Sequence, residues 1–141
     1  MDSQDATARE LPLFYHVRLR PASEEAVLGD DMRERFRQVV EQIAGREGFE
    51  VVVMSAGANF VQFILGNLGA RDLDALVSTI KQETARGILA GWPMLAHFAP
   101  EGDFWDEGFL YTCHNAATIE AALDYIKRHG DVDLFGPPDA P

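Results

Sequence analysis

The chain has a single cysteine, Cys113, in 141 residues. One cysteine cannot close an intrachain disulfide or build a cysteine-based zinc ribbon. Its scarcity suits a reducing cytosol. Long apolar runs are also missing. The longest, Phe60 to Leu65, is interrupted by Gln62 and suits a strand. It falls far short of the roughly 20 residues a membrane helix needs. Met1 to Glu10 carries charges of both signs and no apolar stretch, so it does not read as a secretory signal. These features lead us to expect a cytoplasmic protein without membrane contact. Basic residues are few: 12 Lys and Arg stand against 23 Asp and Glu, a net charge of −11. That field repels phosphate backbones at long range and argues against an indiscriminate nucleic-acid coat. Local basic patches remain open. Ser/His/Asp ordering, glycine-rich phosphate loops and zinc-protease signatures are absent. None of the four histidines stands at His-x-His or His-x-x-x-His spacing.

What is present is an ordinary globular composition, 47% hydrophobic, long enough for one domain. We expect a single folded unit over residues 11–135, with flexible tails at 1–10 and 136–141. Leu13 to Arg20 alternates as a strand: Tyr15, Val17 and Leu19 on one face, His16, Arg18 and Arg20 on the other. Asp30 to Gly48 has helical spacing at Met32, Phe36, Val39, Val40 and Ile43, with Gly45 or Gly48 able to end it. Glu50 to Ser55 and Asn59 to Leu65 read as an antiparallel hairpin. A second helix spans about Ala70 to Ala90 and stops before Pro93. Phe104-Trp105 and Phe109 to Thr112 look extended, and a last helix runs from about Ala116 to His129. The order β-α-β-β-α-β-α predicts an α+β fold: a mainly antiparallel sheet sandwiched by helices.

Several residues could carry chemistry. Tyr125 and His129 are four apart on the last helix, so phenol and imidazole project from one side. They could serve as nucleophile and metal ligand; equally, His129 could simply favour the helix dipole. Gln62 shares a strand face with Phe60 and Ile64, as a weak oxygen ligand or as a satisfied buried amide. His16, Arg18 and Arg20 form a face that could contact phosphates or lie in solvent. Lys81 and Arg86 could reach a nucleic-acid backbone or only solvate their helix. His97 reads as a solvated loop residue, His114 as a turn residue, and Cys113 as a small packing residue.

Five short matches in chain order resemble the single-tyrosine transposases of bacterial insertion sequences and their repeat-associated relatives, the HUH enzymes. They are Tyr15-His16, Gly48-Phe49-Glu50-Val51, Lys81 to Arg86, Gly102 to Trp105, and Tyr125-Ile126-Lys127-Arg128-His129. The resemblance implies an HUH-transposase-like, ferredoxin-like variant fold and a homodimer. It implies a tyrosine, here Tyr125, that attacks single-stranded DNA to form a 5′-phosphotyrosine. It also implies a divalent metal, Mg or Mn, and recognition of DNA hairpins through residues such as His16, Arg18, Arg20, Lys81 and Arg86.

The chain departs from that pattern at the metal motif. The family's Met-Pro-Asp-His-Val-His falls on Gly57-Ala58-Asn59-Phe60-Val61-Gln62. Phe60 has no donor atom for a metal, Gln62 is a poor ligand, and His129 stands where the family has a glutamine. The expectation is a family member that has lost metal-dependent nicking, holds no metal, and keeps at most weak DNA binding. Tyr125 and His129 are expected to face a pocket floored by Phe60 and Gln62. Two alternatives stay open: a working nuclease with an altered metal site, and an interaction module for partners other than nucleic acid on the same scaffold.

Overall fold

In the computed structural model, which describes residues 14–99 and 103–135, four strands form one sheet in the order β2-β3-β1-β4. They are β1 (Phe14–Leu19), β2 (Glu50–Ala56), β3 (Val61–Gly66) and β4 (Leu110–His114). Every pairing is antiparallel. Three α-helices accompany them: α1 (Asp30–Glu47), α2 (Leu73–Gly91) and α3 (Ile119–His129). A 3-10 turn, Pro93–Phe98, follows α2. The expected element order and α+β sandwich are found. Both proposed tails lie outside the described residues, as does Gly102. No helix among the described residues is long and apolar enough to cross a membrane.

The two-residue period of the strands divides the molecule into layers. Val17, Leu19, Val61, Phe63 and Leu65 face α1 and α2, where they meet Phe36, Val40, Ile43, Val77 and Ile80. Ile64 faces the other way, with Ile119 and Ile126 of α3. Phe36 stands at the centre of the larger core, its ring 5.9 Å from that of Phe63 and 5.5 Å from that of Trp105. Trp105 anchors its one polar atom by donating from Nε1 to Thr84 Oγ1 at 2.9 Å. Gly48 ends α1 at φ 86°, a left-handed turn that glycine adopts without strain, and its N–H returns to Ala44 O.

Some boundaries differ from the periodicity. β3 begins at Val61, not Asn59, because Gly57 N–H bonds Phe60 O and closes the turn there. The Phe60 ring folds over Gly57, where any Cβ would overlap it. α3 begins at Ile119, not Ala116. Asn115 Oδ1 accepts from the N–H groups of Ala117 and Thr118 at 2.9 and 3.1 Å, holding 115–118 in an Asx turn. Phe104-Trp105 contributes only an isolated bridge between Trp105 and Pro21. Cys113 is exposed rather than packed, on β4, an edge strand of the sheet among the described residues.

Candidate DNA-processing site

The face of the sheet toward α3 carries a buried polar cluster. β1 and β3 pair with His16 opposite Ile64 and Arg18 opposite Gln62, which sets His16 diagonally beside Gln62. Gln62 is 0% exposed and His16 is 5% exposed. Of the two readings of this face, phosphate contact or solvent, the solvated one fails at His16, which is covered. Gln62 Nε2 donates to two backbone carbonyls, Gly130 O and Val132 O, both at 3.1 Å. Its Oε1 must then be the acceptor for His16 Nε2, 2.8 Å away. This places the His16 proton on Nε2.

Burial pushes His16 below its ordinary pKa of 6.5; the Gln62 hydrogen bond opposes this and nearby His114 adds to it. A lowered histidine pKa means the unfolded chain binds the proton first. Stability is therefore expected to fall as pH drops from about 6.5 toward the folded-state value. The slope from this one group reaches at most about 1.4 kcal/mol per pH unit. Urea melts across that window should show the slope in the wild type and its loss in His16→Gln.

What covers the cluster is the segment after α3, residues 130–135. Gly130 makes the close approach: a Cβ there would stand 2.6 Å from Ile126 O and 2.8 Å from Ser55 Cβ. Ser55 Oγ also donates to Gly130 O, at 2.9 Å. Phe135 lies against the His16 ring, centroids 4.6 Å apart. Asp133 meets the arginines of β1. Its Oδ2 accepts from Arg20 Nη2 at 2.6 Å and Nε at 3.2 Å, and its Oδ1 is 3.6 Å from Arg18 Nε. Burial pushes the Arg18 pKa down, while Asp133 opposes the shift. An arginine still remains charged.

A cavity of about 750 Å³ opens beside this cluster, walled by His16, Arg20, His114, Tyr125 and Asp133 among others. Tyr125 is 55% exposed. Its ring lies 4.7 Å from that of His129, as their spacing predicts. The cavity is not floored as expected, however. Phe60, Gln62 and His129 do not line it: Phe60 is buried in the β2–β3 turn, Gln62 is buried in contact with His16, and His129 is exposed. The residues that stand in the family's metal motif do not suit a divalent cation. Phe60 has no donor, both N–H groups of Gln62 are used, and its oxygen faces an imidazole N–H. Among the described residues no group of three His, Cys, Asp or Glu is placed to hold a metal.

The five expected DNA-contact residues separate into two places. His16, Arg18 and Arg20 share the β1 face. Lys81 and Arg86 border another cavity, of about 790 Å³, together with Asp103, Asp106 and Glu107. Lys81 Nζ is held there by Asp106 O and Gly108 O at 2.7 and 2.9 Å. Sequence reasoning passed over Asp133 and Phe135. The signal was Val132, Leu134 and Phe135, three apolar side chains between Gly130 and the Gly-Pro-Pro end. So apolar a stretch after a helix stop seeks a surface to cover.

The sequence profile of IS200-like transposases matches residues 11–129. The chain belongs to that family. The ISDra2 transposase TnpA of Deinococcus radiodurans is 21% identical over 119 residues, covering 84% of this chain and 85% of that protein. A solved structure of a Deinococcus radiodurans protein assigned as a transposase superposes at TM-score 0.65 with 22% identity, over 84% of this chain and 91% of that one. A REP-associated tyrosine transposase bound to a REP hairpin gives TM-score 0.59 and 13% identity, over 86% and 70% of the two chains. A tRNA(His) guanylyltransferase from Saccharomyces cerevisiae shares the fold at TM-score 0.53 and 18% identity, over 86% of this chain and 61% of that one. The fold therefore does not by itself distinguish a transposase, and membership of the IS200-like family rests on the sequence profile.

Proposed function

We propose that this member of the transposase family has lost metal-assisted strand nicking and retains at most the binding of hairpin or single-stranded DNA, as a homodimer. Gln62 carries the reading. It occupies a metal-ligand position of the family, yet its amide holds His16, Gly130 and Val132 together. A metal at the Gln62 oxygen would have to displace the His16 hydrogen bond in a water-poor site. Tyr125 then stands as a nucleophile position without the Lewis acid that makes a phosphodiester electrophilic. Arg20 lines the same cavity as Tyr125. Support for the homodimer comes from β4: among the described residues its outer edge is unpaired, and its Leu110 and Tyr111 are 46% and 50% exposed.

The test is a labelled DNA hairpin with a single-stranded flank, incubated with Mg²⁺ or Mn²⁺. The expected result is no cleaved strand and no covalent protein–DNA adduct, with Tyr125→Phe indistinguishable from wild type. Fluorescence anisotropy should still show hairpin binding that weakens as salt rises. Light scattering on the same sample should report a dimer. A metal-dependent product that Tyr125→Phe abolishes would restore the working nuclease. Absence of any salt-sensitive binding would favour a partner other than nucleic acid.

A further inference from the structure

We infer that Arg18 and Arg20 form a phosphodiester-binding site and that Asp133 occupies it as a built-in stand-in for the phosphate. This rests on the DNA-binding reading above and adds what fills the site when DNA is absent. Arg18 in β1 and Arg20, one residue past its end, both reach the same Asp133 carboxylate. The Asp133 carboxylate lies between them at a part-buried position. Its two oxygens are both engaged: Oδ2 by Arg20, and Oδ1 by the N–H of Phe135 at 3.0 Å. Arg18 is left short. Its Nε is buried without a hydrogen-bond partner, 3.6 Å from the nearest carboxylate oxygen.

A buried guanidinium N–H with no acceptor is costly. The mismatch is one of shape: a planar carboxylate with two oxygens serves one guanidinium well and the second poorly. A phosphodiester carries its charge on two non-bridging oxygens of a tetrahedral centre, and with neither oxygen tied to Phe135 N–H one can face each arginine. The site also has an approach, because Arg20 and Asp133 both line the cavity that Tyr125 borders. A strand lying in that cavity would bring a phosphate to the arginines. Besides Asp133, the segment 130–135 is held by the Gln62 and Ser55 hydrogen bonds, by Leu134 against Ile64, Ile119 and Ile126, and by the Phe135 ring on His16, and these are the contacts that a bound strand has to loosen. Being tethered directly after α3, it competes with DNA at high effective concentration.

The experiment compares hairpin binding by full-length variants at one fixed ionic strength. Asp133→Asn is expected to bind about tenfold tighter than wild type. Phe135→Ala loosens the segment without changing charge and should tighten binding in the same direction. Asp131→Asn removes the same charge from an exposed neighbour and should change binding far less. Adding Arg18→Gln and Arg20→Gln to Asp133→Asn should erase the gain. Inorganic pyrophosphate, titrated calorimetrically into the same proteins, reads the anion site without DNA. If wild type binds DNA but Asp133→Asn matches it, or merely matches Asp131→Asn, the stand-in is overturned and the DNA reading survives. If no form binds DNA while Asp133→Asn gains pyrophosphate binding, the DNA reading falls and the oxyanion site stands. If neither ligand binds any form, both are overturned.

Discussion

Gln62→Leu is expected to lower the unfolding free energy by about 2–4 kcal/mol, a large part of what a domain of this size possesses. Leucine fits the volume but makes none of the three hydrogen bonds. His16 Nε2 then keeps a proton with no acceptor in a site that is nearly closed to water. Val132 O loses its donor, whereas Gly130 O retains Ser55 Oγ and loses less. The penalty is therefore mostly that of an orphaned imidazole N–H. Removing the imidazole as well should recover part of it. The double variant His16→Leu with Gln62→Leu is expected to be about 1–2 kcal/mol more stable than the sum of the single losses predicts. Urea unfolding followed by tryptophan fluorescence measures all three proteins. Strict additivity would mean that the two side chains do not depend on each other.

Local rules made most of the scaffold legible. Period-two alternation located β1 and β3, helical spacing located α1 and α2, and Gly48 stopped α1 by its left-handed turn. Tyr125 and His129 were legible as a pair because four residues make one helical turn. The polar cluster was not legible, because it depends on register between distant segments. His16 and Gln62 are 46 residues apart, and Gln62 and Val132 are 70 apart. Only the β1–β3 pairing and the path of residues 130–135 bring them together. That the face with His16, Arg18 and Arg20 is covered was illegible for the same reason: its cover comes from residues 130–135. Phe60 failed differently. Strand alternation extended backward from Gln62 puts it on the Gln62 face, but the Gly57 turn ends the ladder one residue earlier.

The second large effect belongs to the opposite face of the sheet. Phe36→Ala is expected to cost about 3–5 kcal/mol. Phe36 is 1% exposed and lies between the rings of Phe63 and Trp105, so alanine leaves a cavity lined by two large aromatics. Neither can collapse into it freely. Phe63 is fixed by its place in β3, and Trp105 is tied through Nε1 to Thr84. The milder Phe36→Leu, near 1 kcal/mol, permits a sharper question. Combined with Gln62→Leu, it should be additive within about 0.5 kcal/mol, because Phe36 and Gln62 touch opposite faces of the sheet and share no partner. Additivity would separate the two layers energetically: α1 and α2 hold the scaffold, while the polar cluster holds residues 130–135 over the arginines. The hairpin-binding gain of Asp133→Asn should then persist in the Phe36→Leu background. A gain that vanished there would mean that the segment's docking draws on the main core.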